Sequence, residues 1–128
     1  MGFKVKLRKT DTMFSNYIRG KAHWRCEYCH KYYGDNKRGL HNSHYWSRGR
    51  ESTRFEPDNC VAFCYYHHEK LGHGDGRDEY REFMVKRLGQ NRFDSLMIQS
   101  NTTKKRDDKM DEIVIKELLK TLDSEDTE

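Results

Sequence analysis

Two pairs of metal-ligand side chains constrain the fold of this chain more than any other feature. Cys26 and Cys29 are separated by two residues, and so are Cys64 and His67. This spacing lets both members of a pair point at one ion from a single tight turn, and zinc takes four such ligands in a tetrahedron. The two pairs together predict a Cys3His zinc site with a structural role, because four protein ligands leave no open position.

The composition explains why such a chain needs a metal. Of its 128 residues, 34% are hydrophobic and 36% are charged, which leaves a single domain with a small apolar core. The first 14 residues contain no apolar run typical of a signal peptide, and no stretch is long enough to cross a membrane. We therefore expect a cytoplasmic protein, in which cysteines bind zinc rather than form disulfides.

Cys60 offers a competing assignment of the fourth zinc ligand. It lies four residues before Cys64 and would take the place of His67. In the strand predicted over 60–63 it shares a face with Ala62 and Cys64, which favours a role as a small buried hydrophobic residue.

The polar and apolar pattern predicts an α+β fold. A short arm precedes a helix with an N-cap at Thr10 or Asp11. Two strands follow, separated by an arginine-rich loop. Three helices come after them, and the first two of these end at a glycine. The predicted strands cover 40–46 and 60–63, and the predicted helices after them cover 65–72, 77–89 and about 91–100.

The C-terminal part of the chain is predicted to be separate from the domain. The apolar residues of its helix, from Ile113 to Leu122, suit either docking on the same chain or a homodimer contact, so a monomer and a homodimer both remain open. The predicted division is a domain over 1–98, a polar linker over 99–109, a helix over 110–122 and an acidic, disordered tail over 123–128.

The charge of the chain is uneven. Residues 1–60 carry 13 Lys and Arg against 6 Asp and Glu, a net charge of +7, whereas residues 61–128 carry 12 against 15, a net charge of −3. A basic first half predicts a polyanionic partner, above all DNA. A solvated basic surface is the alternative interpretation.

Three residues outside the zinc site complete a second pattern, in the segments "SHYW", "DNCVAF" and "CYYHH". His44 lies in the first predicted strand, Asn59 directly precedes the second, and His68 lies in the first turn of the next predicted helix, beside the zinc ligands. Their order and spacing resemble the HNH endonucleases, with His67 where the second cysteine of the zinc knuckle usually stands. "SHYWSRG" and "STRFEPDNC" resemble a phage-encoded branch of that family, which includes the lambda NinG (Rap) recombination nucleases. The resemblance covers about residues 10–98.

This resemblance implies a ββα-metal finger, stapled by the zinc site and flanked by helices, that cleaves DNA in a bacterial cell carrying a phage or prophage. It implies that His44 is the general base and that Asn59 orients the finger or, as in some family members, binds the metal. It also implies that His68 holds a catalytic divalent ion, Mg²⁺ or Mn²⁺, that stabilises the leaving 3′-oxygen. A neutral imidazole near pH 7 suits a general base.

The resemblance leaves two candidates for the second ligand of the catalytic ion. Many family members carry Asp or His directly before the general base, but Ser43 stands there and is a poor ligand. His41 and His73 are the remaining candidates. In a regular strand His41 and His44 face opposite sides, so His41 would need a bulge, whereas His73 lies on a loop flanked by glycines. Without either, the ion depends on water and DNA phosphate.

Three arginines in the loop between the strands are predicted to bind DNA phosphates. Arg54 is the first candidate for clamping the scissile phosphate, and Arg48 and Arg50 flank it. Two alternative functions stay open. One is a non-catalytic, zinc-stabilised DNA-binding module, and the other is a structure-specific nuclease for branched recombination intermediates.

Overall fold

Helices surround one antiparallel pair of strands, which confirms the predicted α+β class. The computed structural model describes residues 5–126, with side chains as far as Asp123. Strands β1 (Leu40–His44) and β2 (Cys60–Cys64) pair in a regular register, from Leu40 opposite Cys64 to His44 opposite Cys60. The helices are α1 (Lys9–Lys21), α2 (Glu51–Arg54), α3 (Tyr65–Gly72), α4 (Arg77–Leu88), α5 (Gln90–Ser100) and α6 (Asp108–Asp126), and single 3-10 turns cover Lys37–Gly39 and Pro57–Asn59.

Strand β2 lies at the centre of the core. All five of its residues are buried, because the helices before and after the strand pair cover it. Phe63 packs edge-on against Tyr80 of α4, with 5.4 Å between ring centroids, and also contacts Phe83. Phe14 of α1 closes the core against Phe55 of the loop between the strands. No helix among the described residues is both long and apolar enough to cross a membrane.

The loop that carries the first cysteine pair forms a small hairpin attached to β2. Arg25 and Tyr32 pair across it. Glu27 binds both backbone groups of Ala62, because its N–H donates to the Ala62 carbonyl at 2.8 Å and its carboxylate accepts from the Ala62 N–H at 2.7 Å. Arg87 of α4 donates to the same carboxylate at 3.0 Å. These contacts fix the cysteine hairpin to β2.

A buried ion pair connects α1 to the loop between the strands. Arg54 donates two hydrogen bonds to the Asp11 carboxylate, at 2.9 Å from Nε and 2.5 Å from Nη2. The same Nη2 donates to the carbonyl of Lys6 at 2.9 Å. The N–H of Arg8 also donates to Asp11, at 2.8 Å, and closes the first turn of α1.

The C-terminal helix docks on the domain and is longer than the sequence predicts. It begins at Asp108 rather than 110 and extends to Asp126, so the predicted disordered tail is helical as far as the description goes, and 127–128 lie outside the described residues. Ile115 is fully buried and Leu118 and Leu122 pack against the core, whereas Ile113 and Val114 are exposed. The face of α6 that contains Ile115, Leu118 and Leu122 therefore packs on the domain.

Candidate metal centre and active site

The four predicted zinc ligands lie together. The ligand atoms of Cys26, Cys29, Cys64 and His67 are all within 4.8 Å of one another. Cys64 Sγ is 3.1 Å from His67 Nδ1, and Cys26 Sγ is 3.9 Å from the same nitrogen. The cysteine hairpin supplies the first pair, the end of β2 supplies Cys64, and α3 supplies His67. This group can hold a metal ion such as zinc with four protein ligands.

The surroundings of Cys26 and His67 favour metal binding. Burial raises the pKa of the Cys26 thiol, but the backbone N–H groups of Cys29, Cys64 and Tyr28 outweigh it and hold the pKa below its ordinary value, which favours the thiolate that binds zinc. The Tyr28 ring stacks on His67, with 4.4 Å between centroids, and fixes the imidazole.

Cys60 lies outside this group of ligands. Its thiol is completely buried within β2, and burial raises its pKa well above the ordinary value. A neutral, buried thiol fits the small hydrophobic role that the strand pattern favours for Cys60 rather than a zinc ligand.

A second group of histidines lines an open cleft of about 700 Å³. The cleft lies beside the strand pair, and β1, the loop after it, α3 and the start of α4 form its walls. Among the described residues that line it there is no carboxylate. Its basic side chains are the histidines His44, His68 and His73 and the arginines Arg48, Arg50 and Arg77.

His44 stands in the cleft as an oriented imidazole. Its Nε2 is 2.9 Å from the carbonyl of Arg54, so this nitrogen carries the proton and donates, and Nδ1 is left to accept a proton. Burial lowers the pKa of His44, although the bond to the Arg54 carbonyl opposes that shift. The ring is therefore neutral near pH 7, as a general base requires.

His68 and His73 face each other across the end of α3. Their Nε2 atoms are 3.2 Å apart. Two nitrogens about 2.1 Å from a shared ion lie roughly 3.0–3.4 Å apart, so this distance fits a shared ligand role. Burial, His73 and His41 lower the pKa of His68 to about 4, so its ring is neutral and able to bind a metal ion at neutral pH.

Glu69 joins the same group and was not identified from the sequence. Its carboxylate lies within 4.8 Å of the ligand nitrogens of His68 and His73. Its position directly after His68 was the sequence signal that could have identified Glu69 as a metal ligand. A third ligand on the same helix means that a divalent ion need not depend on Ser43.

His41 and Ser43 have other contacts. The His41 ring stacks on His68, with 5.1 Å between centroids, but His41 is not in the group of close ligand atoms. The regular register of β1 contains no bulge that would turn His41 to the side of His44. Ser43 is buried, and its hydroxyl is 2.8 Å from the Tyr80 hydroxyl. The structure therefore favours His73 over His41 as the second ligand.

Asn59 is buried and holds the loop between the strands. Its Oδ1 accepts from the N–H of Trp46 at 2.9 Å, and its Nδ2 donates to the carbonyls of Trp46 at 3.0 Å and Thr53 at 3.2 Å. These bonds fix the segment that directly follows His44. This arrangement fits the orienting role that the resemblance implies for Asn59 better than a metal-binding role.

The three predicted DNA-binding arginines have different environments. The side chain of Arg54 is only 3% exposed and pairs with Asp11, which corrects the expectation that it clamps the scissile phosphate. Arg48 and Arg50 line the cleft and donate to neutral carbonyls, of Val5 at 2.8 Å and of Ser100 at 3.1 Å. The sequence did not separate the two cases because the partner, Asp11, is 43 residues away.

Comparison of the chain with protein-family models, with curated proteins and with solved structures found no match. The resemblance to the HNH endonucleases therefore depends on the residues and spacings given above.

Proposed function

We propose that this protein is a metal-dependent DNA endonuclease in which β1, β2 and α3 act as a ββα-metal finger of the HNH type. One observation carries the proposal. A single cleft contains an imidazole oriented by a backbone carbonyl, two imidazoles 3.2 Å apart with the Glu69 carboxylate beside them, and three arginines. An open, positively charged cleft of this kind suits a phosphodiester.

The chemistry follows from the positions of the side chains. His44 Nδ1 takes a proton from water, the resulting hydroxide attacks phosphorus, and the bond from phosphorus to the 3′-oxygen breaks. His68 and His73, with Glu69 beside them, would hold the divalent ion, Mg²⁺ or Mn²⁺. When bound, that ion supplies the positive charge that stabilises the leaving oxygen. Asn59 keeps the loop after His44 in place.

The zinc group serves the fold in this proposal. A closed set of three cysteines and one histidine offers no position for water or substrate, so it fixes α3 and the cysteine hairpin to β2. The neighbouring residue His68 is thereby held at the cleft. DNA is the proposed partner, and the resemblance extends the proposal to phage or prophage DNA processing in the bacterial cytoplasm.

The test is cleavage of supercoiled plasmid with added Mg²⁺ or Mn²⁺. We expect the wild-type protein to nick the plasmid and His44→Ala to lower the rate by about 10²–10⁴, the usual contribution of general acid–base catalysis. The matched control is His23→Ala, because His23 is exposed and does not line the cleft. A wild-type protein that binds DNA without cutting it would instead be the non-catalytic DNA-binding module.

The substrate is tested with the same variants. Cleavage rates on an intact duplex, a nicked duplex and a four-way junction of equal length distinguish a general endonuclease from a nuclease for branched intermediates. A rate on the junction more than tenfold above that on the duplex would assign the narrower substrate, and equal rates would assign the general one.

A further inference from the structure

Arg77 is an exposed arginine of the cleft that comes from outside the strand pair and α3. It is the first residue of α4, after the glycine-containing loop that carries His73. Its Nη1 donates to the carbonyl of Tyr45 at 2.7 Å, and its guanidinium carbon lies 3.8 Å from the centroid of the Tyr45 ring. Tyr45 directly follows His44, so Arg77 is bound next to the proposed general base.

The support beneath Arg77 is rigid. The Tyr45 ring is buried and packs edge-on against Trp46, Tyr80 and Phe93, with centroid distances of 4.6, 4.9 and 5.7 Å. A guanidinium that is stacked on such a ring and bonded to a backbone carbonyl loses little freedom when it binds an anion. The guanidinium is therefore preorganised at the wall of the cleft.

The charge of Arg77 is not neutralised within the described part of the chain. Arg8, Arg54, Arg87, Arg92 and Arg106 each form an ion pair with a carboxylate. Arg77 forms no such pair among the described residues, and its hydrogen-bond partner is a neutral carbonyl. An arginine that is held in place at the wall of the cleft and has no counter-ion within the described chain is free to bind an anion from outside it.

We propose that Arg77 binds a phosphate of the DNA backbone beside His44, and so takes the part that the sequence assigns to Arg54. This inference depends on the proposed binding of DNA in the cleft. The free N–H groups of the guanidinium donate to the phosphate oxygens, while the bond to Tyr45 keeps the side chain in place. Arg77 is thus a contact that positions the phosphodiester relative to His44.

The test measures binding and cleavage separately. Fluorescence anisotropy of a labelled duplex without added Mg²⁺ or Mn²⁺ gives the Kd between 50 and 200 mM salt without cleavage. No chelator is used, because it would also remove the zinc proposed to support the fold. We expect Arg77→Ala to raise the Kd about tenfold and to reduce the slope of log Kd against log salt by about one ion. Arg77→Lys retains the charge without the planar fork, and we expect an intermediate Kd with the wild-type slope.

Arg81→Ala is the matched control. Arg81 lies one turn further along α4, is also exposed and also contacts an aromatic ring, that of Phe93, but does not line the cleft. We expect its Kd to stay within twofold of the wild-type value and its salt slope to be unchanged. The thermal midpoint of each variant reports any loss of the packing on Tyr45, which would not by itself change the salt slope.

The outcomes separate this inference from the proposed nuclease function. A wild-type Kd and slope in Arg77→Ala, or an equal loss in Arg81→Ala, would overturn the role of Arg77. If the wild-type protein binds DNA with the expected Arg77 dependence but does not cut, the nuclease function fails and the phosphate contact stands. If the wild-type protein does not bind DNA, both fail.

Discussion

The cysteine-rich group and the histidine-lined cleft are adjacent on the chain but have opposite designs. His67 and His68 are consecutive residues of α3. Because a helix turns by about 100° per residue, His67 points to the cysteine-rich group and His68 to the cleft. The first group, called the closed group below, offers four possible protein ligands held by β2, whereas the second, called the open group, offers three and has an open side. One short helix therefore separates a group able to hold zinc from the group proposed to hold the ion that acts on DNA.

The largest expected effect comes from removing a ligand of the closed group. We expect Cys26→Ser to abolish cooperative folding, because structural zinc contributes on the order of 10 kcal/mol, as much as the whole stability of a domain. Circular dichroism melts and a zinc assay check this, with about one tightly held zinc per chain in the wild-type protein.

Cys60→Ala is the control for that experiment. Cys60 is buried in β2 but lies outside the ligand group, so we expect unchanged zinc content and a smaller loss of stability. Loss of zinc in Cys60→Ala together with retention in His67→Ala would make Cys60 the fourth ligand and contradict the assignment made here.

The second test concerns the open group. We expect His68→Ala to lower the cleavage rate at least 100-fold with zinc content and thermal midpoint close to wild type, because the ring faces the cleft rather than the closed group. We expect His41→Ala, which removes only the ring stacked on His68, to change the rate less than threefold. Cleavage rates at saturating Mn²⁺ check both values.

Two results would contradict this reading of the cleft. Equal losses in His41→Ala and His68→Ala would return His41 to the ligand set. Loss of zinc in His68→Ala would mean that the two groups are not separate, and the comparison between them would fail.

The closed group could be predicted from the sequence, whereas much of the open group could not. Cys26, Cys29, Cys64 and His67 have spacings that tight turns impose, so local geometry is enough to pair them. The sequence left His73 and His41 as alternative ligands and did not identify Glu69, because these side chains approach His68 through the end of α3 and the glycine loop, which no periodic pattern describes. The sequence predicts the helix over 77–89, but it does not show that the first residue of that helix reaches the cleft.

The arginines were harder still to assign from the sequence. Arg50 and Arg54 lie on the same short segment and have the same chemistry, yet one lines the cleft and the other is buried against Asp11. The difference depends on α1, which packs on that segment from far away in the chain. Long-range partners of this kind leave no local sequence signal.

The third test compares these two arginines. We expect Arg54→Ala to cost about 3–5 kcal/mol of stability, because it leaves the Asp11 carboxylate buried without a partner. We expect Arg50→Ala to change stability by less than about 0.5 kcal/mol, since Arg50 is exposed, and to weaken DNA binding instead. Urea unfolding and anisotropy without added Mg²⁺ or Mn²⁺ measure the two effects, and a reversed pattern would restore Arg54 to DNA binding.

The buried pair also predicts a dependence on pH. Burial alone would raise the pKa of Asp11, but the hydrogen bonds from Arg54 and from the N–H of Arg8 outweigh it, so the pKa lies below the ordinary value of 3.8. Because the pKa is lowered in the folded state, the pair stabilises the protein fully at pH values above the ordinary pKa of Asp11. This stabilisation is lost as the pH falls through the folded-state pKa. Arg54→Ala should therefore lose part of this acid dependence in urea titrations between pH 2 and 5.

The smallest expected effect concerns backbone strain beside the closed group. His30 follows Cys29 and has φ of 66°, a left-handed conformation that costs a residue with a Cβ about 1–2 kcal/mol and glycine almost nothing. Glycine also loses more freedom on folding, by about 0.5–1 kcal/mol, so we expect His30→Gly to stabilise the protein by up to about 1 kcal/mol.

The neighbouring exposed Lys31, whose φ is negative, is the control, and Lys31→Gly should destabilise the protein. Because His30 lies at the closed group, the cleavage rate should not change in either variant. A loss of stability in His30→Gly equal to that in Lys31→Gly would mean that the hairpin does not carry this strain.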